Sequence, residues 1–181
     1  MDLLGSTCFF LGSHLARDEL APLLDEAIER HITAYGVSGF VVGHYGNFDR
    51  LAAAALRRAK ERHPDIDLRL LIPYHPFDRP VEPPPGFDGT YYPEGLDRVP
   101  RRLAIVHADR LLIRTSQFLI AHPGLGQSRE LTDYALRREK RGLIRVELLE
   151  RTRGQSPAGP AAGPFFLFPF SLSEGQGGLG G

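Results

Sequence analysis

Two kinds of apolar run alternate along the first 72 residues. Thr7 to Leu11 (TCFFL) is almost continuously apolar and ends in Gly12, the pattern of a short strand covered on both faces. In Arg17 to Tyr35, Leu20, Leu23, Leu24, Ala27, Ile28 and Ile32 recur at helical spacing, with Asp18 and Glu19 in the first turn and Gly36 as a stop. Gly39 to Val42 (GFVV) reads as a second buried strand, ending in Gly43. Asn47 to His63 reads as a helix on Leu51, Ala52, Ala55, Leu56 and Ala59, closed by Pro64. Asp67 to Ile72 is a third strand. The resulting β-α-β-α-β order calls for a parallel sheet with right-handed crossovers.

Residues 73–100 break the rhythm with eight prolines and three glycines, and read as one long loop. The rhythm resumes with a helix over 101–115, a strand over 117–121, a helix over 128–141 and a strand over 143–149. The expected fold is therefore α/β: a Rossmann-like three-layer body over residues 1–150. Its sheet has about five, mostly parallel strands, with helices on both faces. Thirty residues from Thr152 onward hold eight Gly and four Pro around one apolar island, Phe165 to Phe170. This composition reads as a disordered or loosely docked tail, 151–181.

Composition narrows the function classes. The chain has 181 residues, 42% hydrophobic and 24% charged, and its 22 basic and 22 acidic side chains cancel. A zero net charge argues against bulk electrostatic binding of nucleic acid. The single cysteine, Cys8, excludes a disulfide framework and a multi-cysteine zinc site. The seven histidines show neither HxxxH nor HExxH spacing, so no metal and no cofactor are expected. No apolar run is long enough for a membrane span, and no basic stretch precedes the first apolar one. The expectation is a cytoplasmic protein with no membrane partner, its oligomeric state open to a homo-oligomer.

Three turns follow strand ends: Gly12-Ser13-His14, the segment Gly43 to Asp49, and Pro123-Gly124-Leu125-Gly126-Gln127-Ser128. In an open parallel sheet, ligands bind outside these ends. Glycines let backbone approach an anion, and helix starts offer free amides. Candidate ligand-binding residues are Gly12, Ser13, His14, Gly43, His44, Tyr45, Gly46, Asp49, Tyr74, Gly124, Gly126 and Ser128. Each has a second reading: the glycines as plain turn formers, Asn47 or Asp49 as the cap of the second helix, Ser128 as the cap of a later one. In the functional readings Asp49 meets a ribose hydroxyl and Tyr45 or Tyr74 stacks on a base. Arg101, Arg102 and Arg110 read either as a solvated helix face or as a phosphate contact. GxGxxG, the Walker pattern and GxSxG are all absent.

Several of these stretches resemble one family. Phe9 to His14 is similar to the "F-x-G-H-R" opening of a branch of the SLOG superfamily, the Rossmann-like proteins grouped around DprA and the LONELY GUY enzymes. Phe40 to Asp49 resembles its "F-x-V-G-x-x-G-x-F-D" turn. Tyr92 to Leu96 and Val99 to Ile105 resemble the "P-E-G-L-E-x-V-P-x-R-F-A-I" of bacterial members related to the YpsA-like group. The resemblance spans roughly residues 7–149. It implies a nucleotide or nucleotide-derived small molecule on the glycine rim of Gly12, Ser13, Gly43, Gly46, Asp49, Gly124 and Gly126.

The chain departs from the family in four places, one being the late "G-G-A/T" turn, which reads Leu125-Gly126-Gln127-Ser128. His14 stands where the family has an arginine, a loss for anion binding. The helix motif "R-R-N-x-W-M" reads Val106-His107-Ala108-Asp109-Arg110-Leu111-Leu112. The phosphoribohydrolase signature "P-G-G-x-G-T-x-x-E" is met only partly by Pro123 to Glu130. The leading expectation is thus a regulatory or sensory ligand-binding domain. A phosphoribohydrolase-like enzyme cleaving an N-glycosidic bond would need a carboxylate, with Glu94, Glu130 and Asp49 as candidates. An interaction module built on residues 165–170 is the third possibility.

Overall fold

The structure is a computed structural model, and it describes residues 5–149. The expected tail and its island, Phe165 to Phe170, lie outside the described residues. The elements in chain order are β1 (Thr7–Gly12), α1 (Ala21–Tyr35), β2 (Gly39–Val42), α2 (Asn47–Arg62), β3 (Asp67–Leu71) and β4 (Gly89–Tyr91). They continue with α3 (Ala104–Thr115), β5 (Phe118–His122), α4 (Gln127–Glu139) and β6 (Arg145–Leu148).

Six strands form one sheet in the order β4-β3-β2-β1-β5-β6, and all neighbouring pairs are parallel. The α/β, Rossmann-like layout is as the sequence predicts, with six strands in place of about five. β1 is central, with Cys8 opposite Phe40 on one side and Phe118 on the other. Its continuous apolar run feeds two cores, because successive strand residues point to opposite faces. Cys8 and Phe10 join a cluster with Leu24 and Ile28 of α1 and Leu51, Ala52 and Leu56 of α2. Phe9 and Leu11 join the opposite cluster with Ala108 and Leu112 of α3 and Leu131 and Ala135 of α4. This is the three-layer arrangement that parallel strands require.

The sixth strand lies inside the stretch read as a loop. β4 has three residues and adds to the edge of β3, pairing Gly89 with Arg69 and Tyr91 with Leu71. The backbone N–H of Asp88 donates to Leu68 O at 2.9 Å, and the N–H of Ile72 donates to Tyr91 O at 2.9 Å. The Asp88 carboxylate also accepts the Leu68 N–H at 2.8 Å and bonds the Lys60 ammonium. Such a strand is specified by its partner and its anchor, not by its own composition.

Helix bounds shift for local reasons. α1 begins at Ala21, after a 3-10 turn over Asp18–Leu20, because Pro22 sits where the first-turn amides have no helical acceptor. A 3-10 turn over Arg101–Leu103 likewise precedes α3. No helix among the described residues is long and apolar enough to cross a membrane.

Candidate functional site

The strand order reverses at β1, since β2 extends the sheet on one side and β5 on the other. The C-terminal ends of β1, β2 and β5 therefore bring three distant turns to one edge. Between them lies a cavity of about 440 Å³. Its floor is the end of β1, Phe9 to Gly12, and its apolar walls include Leu71, Ile105, Ala108 and Leu131. Gly43, Gly46 and Gly126 lie on its rim, and Asp49, Asp109, His14, Gln127 and Ser128 supply its polar groups.

Three glycines of the cavity are imposed by packing, Gly12, Gly43 and Gly46, and a Cβ at Gly46 would lie 2.9 Å from His14 Cα. A Cβ at Gly12 would lie 2.2 Å from Cγ of Phe48, a fully buried ring that seats the start of α2 against the end of β1. A Cβ at Gly43 would lie 2.7 Å from Asp49 Oδ2. Neither α2 nor α4 has a side-chain N-cap; glycine holds both cap positions, Gly46 and Gly126. Some first-turn amides are already taken: the Asn47 N–H donates to His14 O at 3.3 Å and the Arg129 N–H to Gly126 O at 3.1 Å.

Asp49 sits three residues into α2 and reaches back to its own turn, accepting the Tyr45 N–H at 3.0 Å. It resembles one half of a capping box. Burial pushes its carboxyl from 3.8 up to about 6, against the lowering pull of the Tyr45 and Gly46 amides. Asp109 enters from the middle of α3, on the other side of the sheet edge. Burial, reinforced by the Asp49 charge, pushes it up to about 7. Among the described residues no side chain pairs with Asp109. Two partly desolvated carboxyls thus line one pocket, where the second negative charge is the costlier one. Among the described residues no lysine or arginine lines the cavity.

The sequence candidates divide. Gly12, His14, Gly43, Tyr45, Gly46, Asp49, Gly126 and Ser128 all line the cavity. Ser13 and Gly124 lie just behind it as turn partners. The Ser13 N–H donates to His122 O at 3.1 Å, and the Gly124 N–H donates to Ser128 Oγ at 3.2 Å. Ser128 is therefore a brace inside the turn and not the cap of α4. His44 points away, its ring 4.1 Å from that of Tyr45, in a shallower groove on the α2 side. Tyr74 lines neighbouring clefts. Glu94 and Glu130 are exposed and outside the cavity.

Asp109 was not among the candidates, although one signal marks it. In the helix over 101–115 it falls on the apolar side, with Ile105, Ala108 and Leu112, where a carboxylate is costly. A misplaced charge on an inward face is the pattern that points to a site. No protein-family model and no curated protein matches the chain.

Proposed function

We propose that this chain is a SLOG-type domain that binds a nucleotide or nucleotide-derived small molecule at the C-terminal edge of its sheet, in a regulatory or sensory role. The observation that carries the reading is the 440 Å³ cavity at the strand-order reversal, rimmed by glycines and holding two raised carboxyls. That volume lies in the range of small-molecule sites. Asp109, raised to about 7, can donate to or accept from a sugar hydroxyl near neutral pH, and Asp49, raised to about 6, mainly accepts. The apolar walls suit a base.

A thermal-shift screen of nucleosides, nucleotides and sugar phosphates tests this. A compound at 100 times its Kd adds about 2.7 kcal/mol of stability. The stabilisation is expected to shrink in Asp109→Asn and to vanish in Gly43→Val, whose side chain would displace Asp49. A screen without a hit, or a hit that survives both substitutions, overturns the reading.

The carboxyl pair favours a second reading, cleavage of an N-glycosidic bond. That chemistry needs one carboxyl to donate a proton to the leaving base and one carboxylate to stabilise the developing cation or orient water. Glu94 and Glu130 are too far out to serve; Asp109, raised to about 7, and Asp49, raised to about 6, are the pair available. Release of free base from nucleotides, measured from pH 5 to 8, is the assay. No release above the uncatalysed rate leaves the binding role alone.

A further inference from the structure

Among the described residues the main cavity is lined by two acids and one histidine, His14, but by no lysine or arginine, an awkward home for a phosphate. Next to it the charge reverses. Tyr74, Asp78, Arg79, Arg101 and Arg102 line a separate cleft of about 300 Å³. Pro73, the residue before Tyr74, lines the main cavity, and Arg101 and Arg102 directly precede α3, which carries Ile105, Ala108 and Asp109 into it. The Arg79 and Arg101 guanidiniums stand 5.9 Å and 6.0 Å from the centre of the Tyr74 ring. Contact with an aromatic face orients a guanidinium without neutralising it.

The charges in the cleft do not cancel. Asp78 is its one carboxylate among the described residues, 3.5 Å from Arg101, and both partners are largely exposed. Such a pair is weak and easily exchanged for a better anion. Arg79 also acts on the turn that bounds the main cavity: after burial, its charge contributes to holding the His44 pKa down. It opposes the burial that raises Tyr45. Pro73 and Tyr74, neighbours in the chain, line the main cavity and the arginine cleft respectively, and Tyr45 of the main cavity feels the charges of both Tyr74 and Arg79.

We infer that this arginine cleft is an anion subsite for a phosphate monoester, with Arg79 and Arg101 as its clamps and Tyr74 positioning both. The inference deepens the nucleotide reading and rests on it for the rest of the ligand. The phosphate lies over the arginines, while the sugar and base occupy the acidic, apolar cavity. The substrate class is then a phosphorylated nucleoside and not a free nucleoside.

The test is isothermal titration of the full chain, wild type and Arg79→Ala/Arg101→Ala, with three probes. These are the four common ribonucleoside monophosphates, the matching nucleosides, and inorganic phosphate. Both arginines are exposed, and unchanged far-UV circular dichroism and melting confirm that the double variant folds. At least one monophosphate is expected to bind about tenfold more tightly than its nucleoside. The double variant is expected to lose that margin and leave nucleoside affinity within about twofold. Raising salt from about 50 to 500 mM should erode the margin in the wild type alone. A margin that is absent in the wild type, or that survives the double substitution, overturns the subsite and leaves the nucleotide reading standing. Inorganic phosphate that binds only when the arginines are present, with no nucleoside compound binding, supports the subsite and overturns the nucleotide reading. Binding of none of the probes overturns both.

Discussion

Replacing Asp109 by asparagine is expected to stabilise the protein, and to do so more at pH 8 than at pH 5. Burial and the Asp49 charge raise the Asp109 carboxyl from 3.8 to about 7. A folded-state pKa above the unfolded one means that the folded chain binds the extra proton between those two values. Stability then falls as pH rises through that window. At about 1.4 kcal/mol per pH unit, the full cost above pH 7 is about 4 kcal/mol. Roughly 2–3 kcal/mol of it accrues between pH 5 and pH 8. Asparagine keeps the shape and cannot ionise, so it removes that slope. Asp49, raised to about 6, retains a smaller slope of the same sign. Urea denaturation of both proteins at the two pH values measures the difference. His31 and His44, whose pKa values burial lowers, add a slope of opposite sign to both proteins, so the difference between them is the test. A gain in Asp109→Asn that is equal at both pH values, or larger at pH 5, refutes the argument that this carboxyl is held in the cavity at the expense of stability. A confirmed slope would show stability given up at the same place where the ligand is proposed to bind.

Three further outcomes follow from the geometry around the cavity. Gly12→Ala should cost about 1–3 kcal/mol in a urea melt, because its Cβ would press on the buried Phe48 ring; a neutral result would mean that α2 slides freely against β1. Gly126→Ala meets no neighbour but must adopt φ of 65°, so it should cost about 1–2 kcal/mol through backbone strain alone. Leu125 is 94% exposed at the cavity mouth, so Leu125→Ser should leave the melting temperature unchanged while weakening any ligand found in the thermal-shift screen; a drop in stability would show that the loop is packed.

Much of the architecture was legible in the amino-acid order. Buried strands such as GFVV and helices with an apolar stripe announce themselves through local periodicity, and the alternation of the two dictates parallel pairing. The positions of Gly12 at the end of β1, Gly43 just after β2 and Gly126 shortly after β5 also follow from the order. Parallel pairing then brings all three to one edge.

What the tertiary structure decided is whatever depends on distant residues meeting. β4 exists because Leu68, Tyr91 and the Asp88 carboxylate lock a proline-rich stretch onto an edge, and no local pattern encodes that. Asp109 is one acid on one helix until the sheet sets it across a cavity from Asp49, where loss of water raises both carboxyls. Tyr74, Arg79 and Arg101 lie on two segments more than twenty residues apart, and only the fold gathers them into one cleft. Hydrophobic periodicity is a property of neighbours in the chain, whereas desolvation and charge coupling are properties of neighbours in space.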